Sequence, residues 1–334
     1  MHHPKGLSHN GTDGTGMNEG WVYSDRITPA EAGLTVLDFY ATRYRHSSRV
    51  MWRDRILSGQ IRQNGTPLAP DDRLSAGDML DYHRPPWEEP EAPLEFEVLY
   101  EDEDLMAIAK PSGLPVLPGG GFLTHTLLHQ LRLRYPENPP IPVHRLGRGT
   151  SGVMVLGRSP LARAVLSRQL RDSTATAQDP QSARPICKTY RALIGASDLP
   201  PEFTLTTPIG KVDHPALGYV YAASPTGLPA YSEGKVIQRN ADLTLVEITI
   251  RTGRPHQIRI HLAAAGFPLV GDPLYGVGGL PLPIKPSENG RVPVPGDVGY
   301  HLHAYRLTLP HPRTQEILEI VCSAPATLQN PSKI

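Results

Sequence analysis

The stretch from Val143 to Ser159 reads VHRLGRGTSGVMVLGRS. A polar, glycine-rich turn carrying His144, Arg145 and Arg148 runs directly into the apolar segment Val153 to Leu156, the pattern of a buried strand launched from a tight turn. Such a turn presents backbone N–H groups and guanidinium to an anion. Taken alone, that arrangement is common to many unrelated anion sites.

Working outward, a chain of 334 residues suits a main domain with a small accessory one. Its 36 prolines and 31 glycines predict a loop-rich, mainly β architecture with helix as the minor component. Cys187 and Cys322 lack the spacings of zinc sites and disulfide frameworks and are expected to be buried free thiols. No stretch approaches the roughly 20 apolar residues of a membrane span, and the first 20 residues lack the apolar core of a signal peptide. A soluble, cytoplasmic protein is expected. The formal net charge is zero, but Glu88 to Asp104 holds nine acidic residues and no Lys or Arg, whereas Leu131 to Asp172 holds eight arginines against two acids. That segregation creates a local positive surface on a neutral protein.

Residues 1–20 offer almost nothing to bury and are expected to form a disordered tail, with Met17 a second candidate first residue. Thr35 caps a short helix carrying Leu37, Phe39 and Tyr40, and Ser47 a second at about 48–58, ended by Gly59. Asn64-Gly65 marks a hairpin, and Asp71 to Tyr82 adds a turn and a strand. After a Pro/Glu linker at 85–93, the main domain, 94–325, opens with strand, acidic turn and strand over Phe96 to Lys110. Helices are expected over Thr124 to Leu133 and from Ser159-Pro160 to about Arg171, the second carrying apolar Leu161, Val165, Leu166 and Leu170 with Arg163, Arg168 and Arg171 available to solvent or RNA. Ser173 to Pro185 reads as a mobile loop, and Lys188 to Leu193 and Leu243 to Arg251 as strands. Pro255 starts a helix that Gly266 closes, with Arg259 on a different face from the buried Ile258 and Leu262; His301 to Cys322 is a last strand pair. There is no P-loop or dinucleotide fingerprint, and His256 and His261 lack zincin spacing, so no metal is expected.

His144-Arg145-Leu146-Gly147-Arg148-Gly149-Thr150-Ser151-Gly152 resembles the central motif of the RluA-type RNA pseudouridine synthases, His-Arg-Leu-Asp-x-x-Thr-Ser-Gly, with Gly147 in the place of the catalytic aspartate. Lys110 to Val116, KPSGLPV, resembles that family's first motif. Lys188-Thr189-Tyr190 resembles its Lys-x-Tyr strand, and Thr252 to Leu262 with Gly266 to Gly276 its third motif. The glycine at 147 is similar to a plant and cyanobacterial branch. The resemblance runs collinearly over 94–325 and implies an α+β pseudouridine synthase fold, a mixed and mostly antiparallel sheet with a central RNA-binding cleft. Residues 27–84 resemble the alpha-L RNA-binding module that often precedes that domain, with Arg49, Arg53 and Arg55 facing RNA.

The implied activity is cofactor-free isomerisation of uridine to pseudouridine in structured RNA, by base flipping. The resemblance casts Arg145 as the side chain that enters the space left by the extruded base and Tyr190 as the face on which the uracil stacks. Arg259 becomes the ion-pair partner of whatever stands at 147, and His144, Arg148, Lys110, Arg254, His256 and Gln257 become RNA contacts. With glycine at 147, Arg259 is expected to hold another anion, water or substrate phosphate, Asp272 being read as a turn residue and not as a substitute carboxylate. Two readings follow. One is a monomeric synthase acting on ribosomal or transfer RNA in which a distant acidic residue or an altered mechanism replaces the aspartate. The other is a non-catalytic RNA-binding protein or RNA chaperone that kept the fold.

Overall fold

The computed structural model describes residues 17–45, 47–175, 186–283 and 294–329. The expectations for the tail up to residue 16 and for the loop at 176–185 lie outside the described residues. The chain divides into two compact units, Met1–Pro90 with Pro215–Gly218, and Glu91–His214 with Tyr219–Ile334.

The first unit contains strand β1 (Trp21–Arg26), helices α1 (Val36–Arg43) and α2 (Arg49–Leu57), and strands β2 (Ile61–Gln63), β3 (Thr66–Pro67) and β4 (Met79–Arg84). The sheet order is β1-β4-β2-β3, and Phe39, Tyr40, Trp52, Ile56, Ile61 and Leu80 pack beneath it. The Thr35 hydroxyl caps α1 by accepting from the Asp38 amide at 3.1 Å. The cap of α2 is Ser48, accepting from the Met51 amide, and not Ser47, whose hydroxyl is taken by Arg55. Asn64 and Gly65 both have positive φ, 50° and 82°, as the tight turn between β2 and β3 requires.

Order begins earlier than composition suggests. Met17 bridges to Glu88, and the Asn18 side chain donates to Glu89 at 2.8 Å, both groups being buried. Composition alone misses this because the two residues satisfy each other across 71 positions. The proline-rich stretch after β4 is fixed in the same way, with the Arg84 guanidinium 3.5 Å from the centre of the Trp87 ring.

The second unit continues with β5 (Glu97–Glu101), β6 (Leu105–Lys110), α3 (Leu127–Arg134), β7 (Ile141–Pro142), β8 (Ser151–Gly157), α4 (Pro160–Ala175) and β9 (Cys187–Gly195). Then come β10 (Glu202–Leu205), β11 (Ile209–His214), β12 (Gly218–Ala223), β13 (Ser232–Arg239), β14 (Leu243–Ile250), α5 (Gln257–Ala264), β15 (Leu302–Pro310) and β16 (Ile317–Val321). Its main sheet runs β10-β13-β14-β9-β15-β8-β6-β5, with β16 on β15 and β7 on β8. All its pairings are antiparallel except β8 on β15, which meet in parallel at only two residue pairs, His303 with Ser151 and Ala304 with Gly152. That short seam joins two half-sheets, each with its own core.

The helices sit close to the expected spans, with instructive shifts. α3 starts at Leu127 because Thr126 is its cap. α4 runs on to Ala175 and buries Ala162, Leu166 and Leu170 while Leu161 is exposed. α5 starts at Gln257 and not Pro255, since His256 adopts left-handed φ 55°, which no helical residue has. It is buried from Gln257 through Ala263, so Arg259 does not face solvent. Strands β10 to β13 have little periodic signal. In β13, Gly234 lies under the Phe203 ring of β10, whose atoms would be 2.1 Å from any Cβ there. The partner strand supplies the apolar cover that the sequence of β13 does not show.

Candidate active site

Gly147 opens a turn closed by the Thr150 amide donating to its carbonyl at 3.0 Å, after which Ser151 begins β8. The loop after β6 holds this turn. The Arg148 carbonyl accepts from the Gly113 amide at 2.8 Å and from Lys110 Nζ at 3.2 Å, and the Gly149 carbonyl accepts from Ser112 Oγ at 2.8 Å. Lys110 also donates to the Pro111 and Leu114 carbonyls at 2.8 Å each and is 1% exposed, its pKa lowered to about 7 by burial and then by Arg148. The expectation of an RNA contact at Lys110 is therefore corrected: the residue latches the two motif loops together.

His144 likewise faces inward. Its Nε2 accepts from the Val155 amide at 3.0 Å, and burial, with Lys188 nearby, lowers its pKa to about 3, so it is neutral and offers no charge to a phosphate. Arg145 differs: it is exposed and, among the described residues, makes no hydrogen bond or ion pair. Arg148 is half-buried, donates from Nε to the Gly296 carbonyl at 2.8 Å, lies 3.8 Å from Asp297 and stacks over Phe122.

The turn feeds straight into the seam. Gly152 pairs with Ala304 of β15 on one side, and Tyr190 of β9 pairs with the same Ala304 on the other. Turn and tyrosine are thus two strand spacings apart, roughly 10 Å. Gly152 has φ 110°, and a Cβ there would fall 2.2 Å from the Ala304 carbonyl oxygen, so no other residue fits this crossing. Tyr190 packs against the cores on both sides of the seam, and burial raises its pKa to about 12, leaving a neutral aromatic face.

Helix α5 brings Arg259 to the same place. Its Nε and Nη2 donate to Asp272 at 2.7 Å each, and Nη1 donates to the Pro295 carbonyl at 3.1 Å. The rings of Tyr300 and Tyr275 lie 4.2 and 4.9 Å from its guanidinium. The pair is 2% and 1% exposed, and one Asp272 oxygen also accepts from the Leu274 and Tyr275 amides. The reading of Asp272 as only a turn residue is corrected: it orders that turn and is also the anion of Arg259. Arg259 is therefore not an unpaired cation waiting beside position 147. Removing one member of such a buried pair typically costs about 3–5 kcal/mol.

The remaining expected contacts are mainly scaffolding. Gln257 is buried, accepts from Thr252 Oγ1 and the Arg254 amide, and donates to the Tyr231 carbonyl and Ser232 Oγ. Tyr275 Oη donates to the Tyr221 carbonyl, so His256 Nδ1, 2.7 Å from that oxygen, carries the proton. Burial, then Arg259, lowers the His256 pKa to about 4. Arg254 is half-buried and donates to the Pro229 carbonyl. In the first unit, Arg53 is exposed, Arg49 is exposed and pairs with Asp38, and Arg55 is stacked over Trp52. Cys322 is buried and Cys187 only half so, both as free thiols. Among the described residues no cluster of His, Cys, Asp or Glu could hold a metal, and no helix is long and apolar enough to cross a membrane.

Sequence reading missed Tyr300, which stands just before β15 and projects under the turn. Its Oη lies 3.2 Å from Thr150 Oγ1 and 3.0 Å from where a Cβ of residue 147 would be, and its ring would press on any side chain at Gly149. The paired glycines at 147 and 149 were the available signal: they leave a space that something must fill.

Comparison with known proteins bears on the family and the fold. The family described as RNA pseudouridylate synthase matches residues 104–264. An uncharacterized RNA pseudouridine synthase of Synechocystis is 50% identical over 297 residues, 89% of this chain and 96% of that protein. RNA pseudouridine synthase 5 of Arabidopsis thaliana is 41% identical over 94% of this chain and 95% of its own, and ribosomal large subunit pseudouridine synthase D of Neisseria meningitidis is 32% identical over 84% and 72%. Among solved structures, human RNA pseudouridylate synthase domain containing 1 superposes with a TM-score of 0.52 at 22% identity, covering 71% of this chain and 86% of its own, which speaks to the fold.

Proposed function

The chain belongs to the RNA pseudouridine synthase family, and from that premise we propose that it converts uridine to pseudouridine in structured RNA by extruding the target base beside Gly147. The observation that carries the reading is that the exposed Arg145 turn and Tyr190 flank one seam of the split sheet, with Arg259 reaching the turn through the Tyr300 ring. Arg145 is the side chain free to enter the vacated space in the RNA, where a planar guanidinium can stack and hydrogen-bond at once. Tyr190 offers a neutral ring for the flipped uracil, a contact worth about 1–3 kcal/mol. Arg259, held by Asp272, fixes the floor of the site. Extrusion itself costs a few kcal/mol, which these contacts offset.

Arg49 and Arg53, exposed on the first unit, are cations that an RNA backbone can meet there, and two free thiols suit a cytoplasmic enzyme. The RNA is ribosomal or transfer RNA, and the enzyme acts as a monomer. Tritium release from RNA carrying 5-tritiated uridine tests the reading, because forming the C5–C1′ bond expels the C5 hydrogen. Release by the purified protein is expected. Binding of the same RNA without release favours an RNA-binding protein that has lost the chemistry.

A further inference from the structure

Resting on that reading, we propose that the Tyr300 hydroxyl is the acid–base group of the reaction at the ribose, standing where a carboxylate at position 147 would stand. The Tyr300 oxygen is 3.0 Å from the Cβ position of residue 147. Aspartate oxygens lie roughly 2.4 Å from their own Cβ by standard bond lengths, so the phenol oxygen occupies nearly the same radius about that point. Gly147 is exposed and has no side chain to cover it, while Tyr300 is 5% exposed and fixed on both sides. Its oxygen meets Thr150 Oγ1, and its ring lies against the Arg259 guanidinium and the bare Cα of Gly149. Among the described residues two other carboxylates are near, and both are worse placed. Asp272 is spent on Arg259 and two backbone amides and is 1% exposed. Asp297 lies beside Arg148 and accepts from the Val294 amide.

The step balances without a co-reactant. As the N1–C1′ bond breaks, its electron pair takes the Tyr300 hydroxyl proton onto uracil N1; the phenolate so formed takes a proton from C2′, and that C–H pair becomes the C1′–C2′ double bond. After the base turns, the double-bond pair recovers the proton at C2′ from the phenol while the uracil C5–C6 double-bond pair forms the C5–C1′ bond. The C5 hydrogen then leaves as a proton to the phenolate, which exchanges it with water, and its C–H pair restores the C5–C6 double bond, so Tyr300 ends as it began, a phenol.

Tyr300→Phe keeps the ring on Arg259 and deletes only the oxygen. It is expected to leave RNA affinity within about threefold of wild type while pseudouridine formation slows by at least ~100-fold, the usual span for losing an acid–base group. Gly147→Asp alone crowds its Cβ against the phenol oxygen and should be no faster than wild type. The double variant Gly147→Asp/Tyr300→Phe puts a carboxylate in the vacated place and should regain at least tenfold over Tyr300→Phe, a rescue that a purely structural tyrosine would not give. Wild-type turnover in Tyr300→Phe overturns the proposal, as does a folded but unrescued double variant. Loss of turnover in Asp297→Asn with Tyr300→Phe still active overturns it in favour of Asp297. A wild-type protein that binds RNA and never releases tritium fails at the functional reading itself, which the single variants alone would not reveal.

Discussion

Arg145 and Arg259 are the same side chain used in opposite ways. Arg259 is 2% exposed and bound to a carboxylate, a carbonyl and two rings, so its charge is internal to the fold. Arg145 is exposed and unpaired among the described residues, so its charge is available to RNA. If it replaces an extruded base, Arg145→Ala will weaken binding to a folded RNA more than to an unpaired oligonucleotide; with a stacking contact worth about 1–3 kcal/mol, the difference should be at least fivefold. Equal losses, measured by titration of both ligands, would reduce Arg145 to a phosphate contact. At this scale the sequence was a good guide to which residues gather and a poor one to what they do. Arg145, Tyr190 and Arg259 could be named from motifs, but Lys110, His144 and Gln257 read as RNA contacts because motif membership does not say which way a side chain points. Asp272 was misread because its partner Arg259 stands 13 residues back on α5, a pairing no spacing announces, and Tyr300 was missed because the Gly147 turn meets it only across 150 residues of sequence.

Helix α5 shows how an element can be set by its surroundings. It is buried along nearly its whole length, and its polar residues are matched one by one: His261 Nε2 donates to the Thr207 carbonyl and Nδ1 accepts from Ser232 Oγ, each at 3.0 Å. Burial lowers the His261 pKa to about 4, as it does for His256 at the start of the helix. Both histidines bind protons more weakly folded than unfolded, so unfolding takes up protons between about pH 6.5 and 4, and stability falls as pH drops through that window. Each contributes up to about 1.4 kcal/mol per pH unit. Denaturant midpoints recorded from pH 7 down to 4.5 should decline steeply below pH 6.5, and a flat profile would mean that these rings are hydrated. Strongly patterned elements such as α1, β8 and β14 were legible beforehand, as was the Asn64-Gly65 hairpin. The start of α5 was not, because the left-handed turn at His256 is imposed by its bond to Tyr275, and β13 was not, because Phe203 covers it from the next strand.

A chain with zero formal net charge nonetheless exposes arginines on each unit, Arg145 on the second and Arg53 and the Asp38-paired Arg49 on the first, and if RNA uses all three, the salt dependence of binding will show it. Each phosphate contact removed should flatten the dependence of log affinity on log salt by about 0.7–0.9, so Arg49→Ala/Arg53→Ala in the full chain should reduce the slope by roughly 1.5 with folding unchanged. An unaltered slope would place RNA on the second unit alone. If a site with glycine at 147 makes pseudouridine, pseudouridine maps of RNA from cells that have the gene, lack it, or carry it with Tyr300→Phe will show at least one uridine modified only in the first of the three; maps that coincide in all three, for RNA the protein demonstrably binds, would contradict pseudouridine formation at this site.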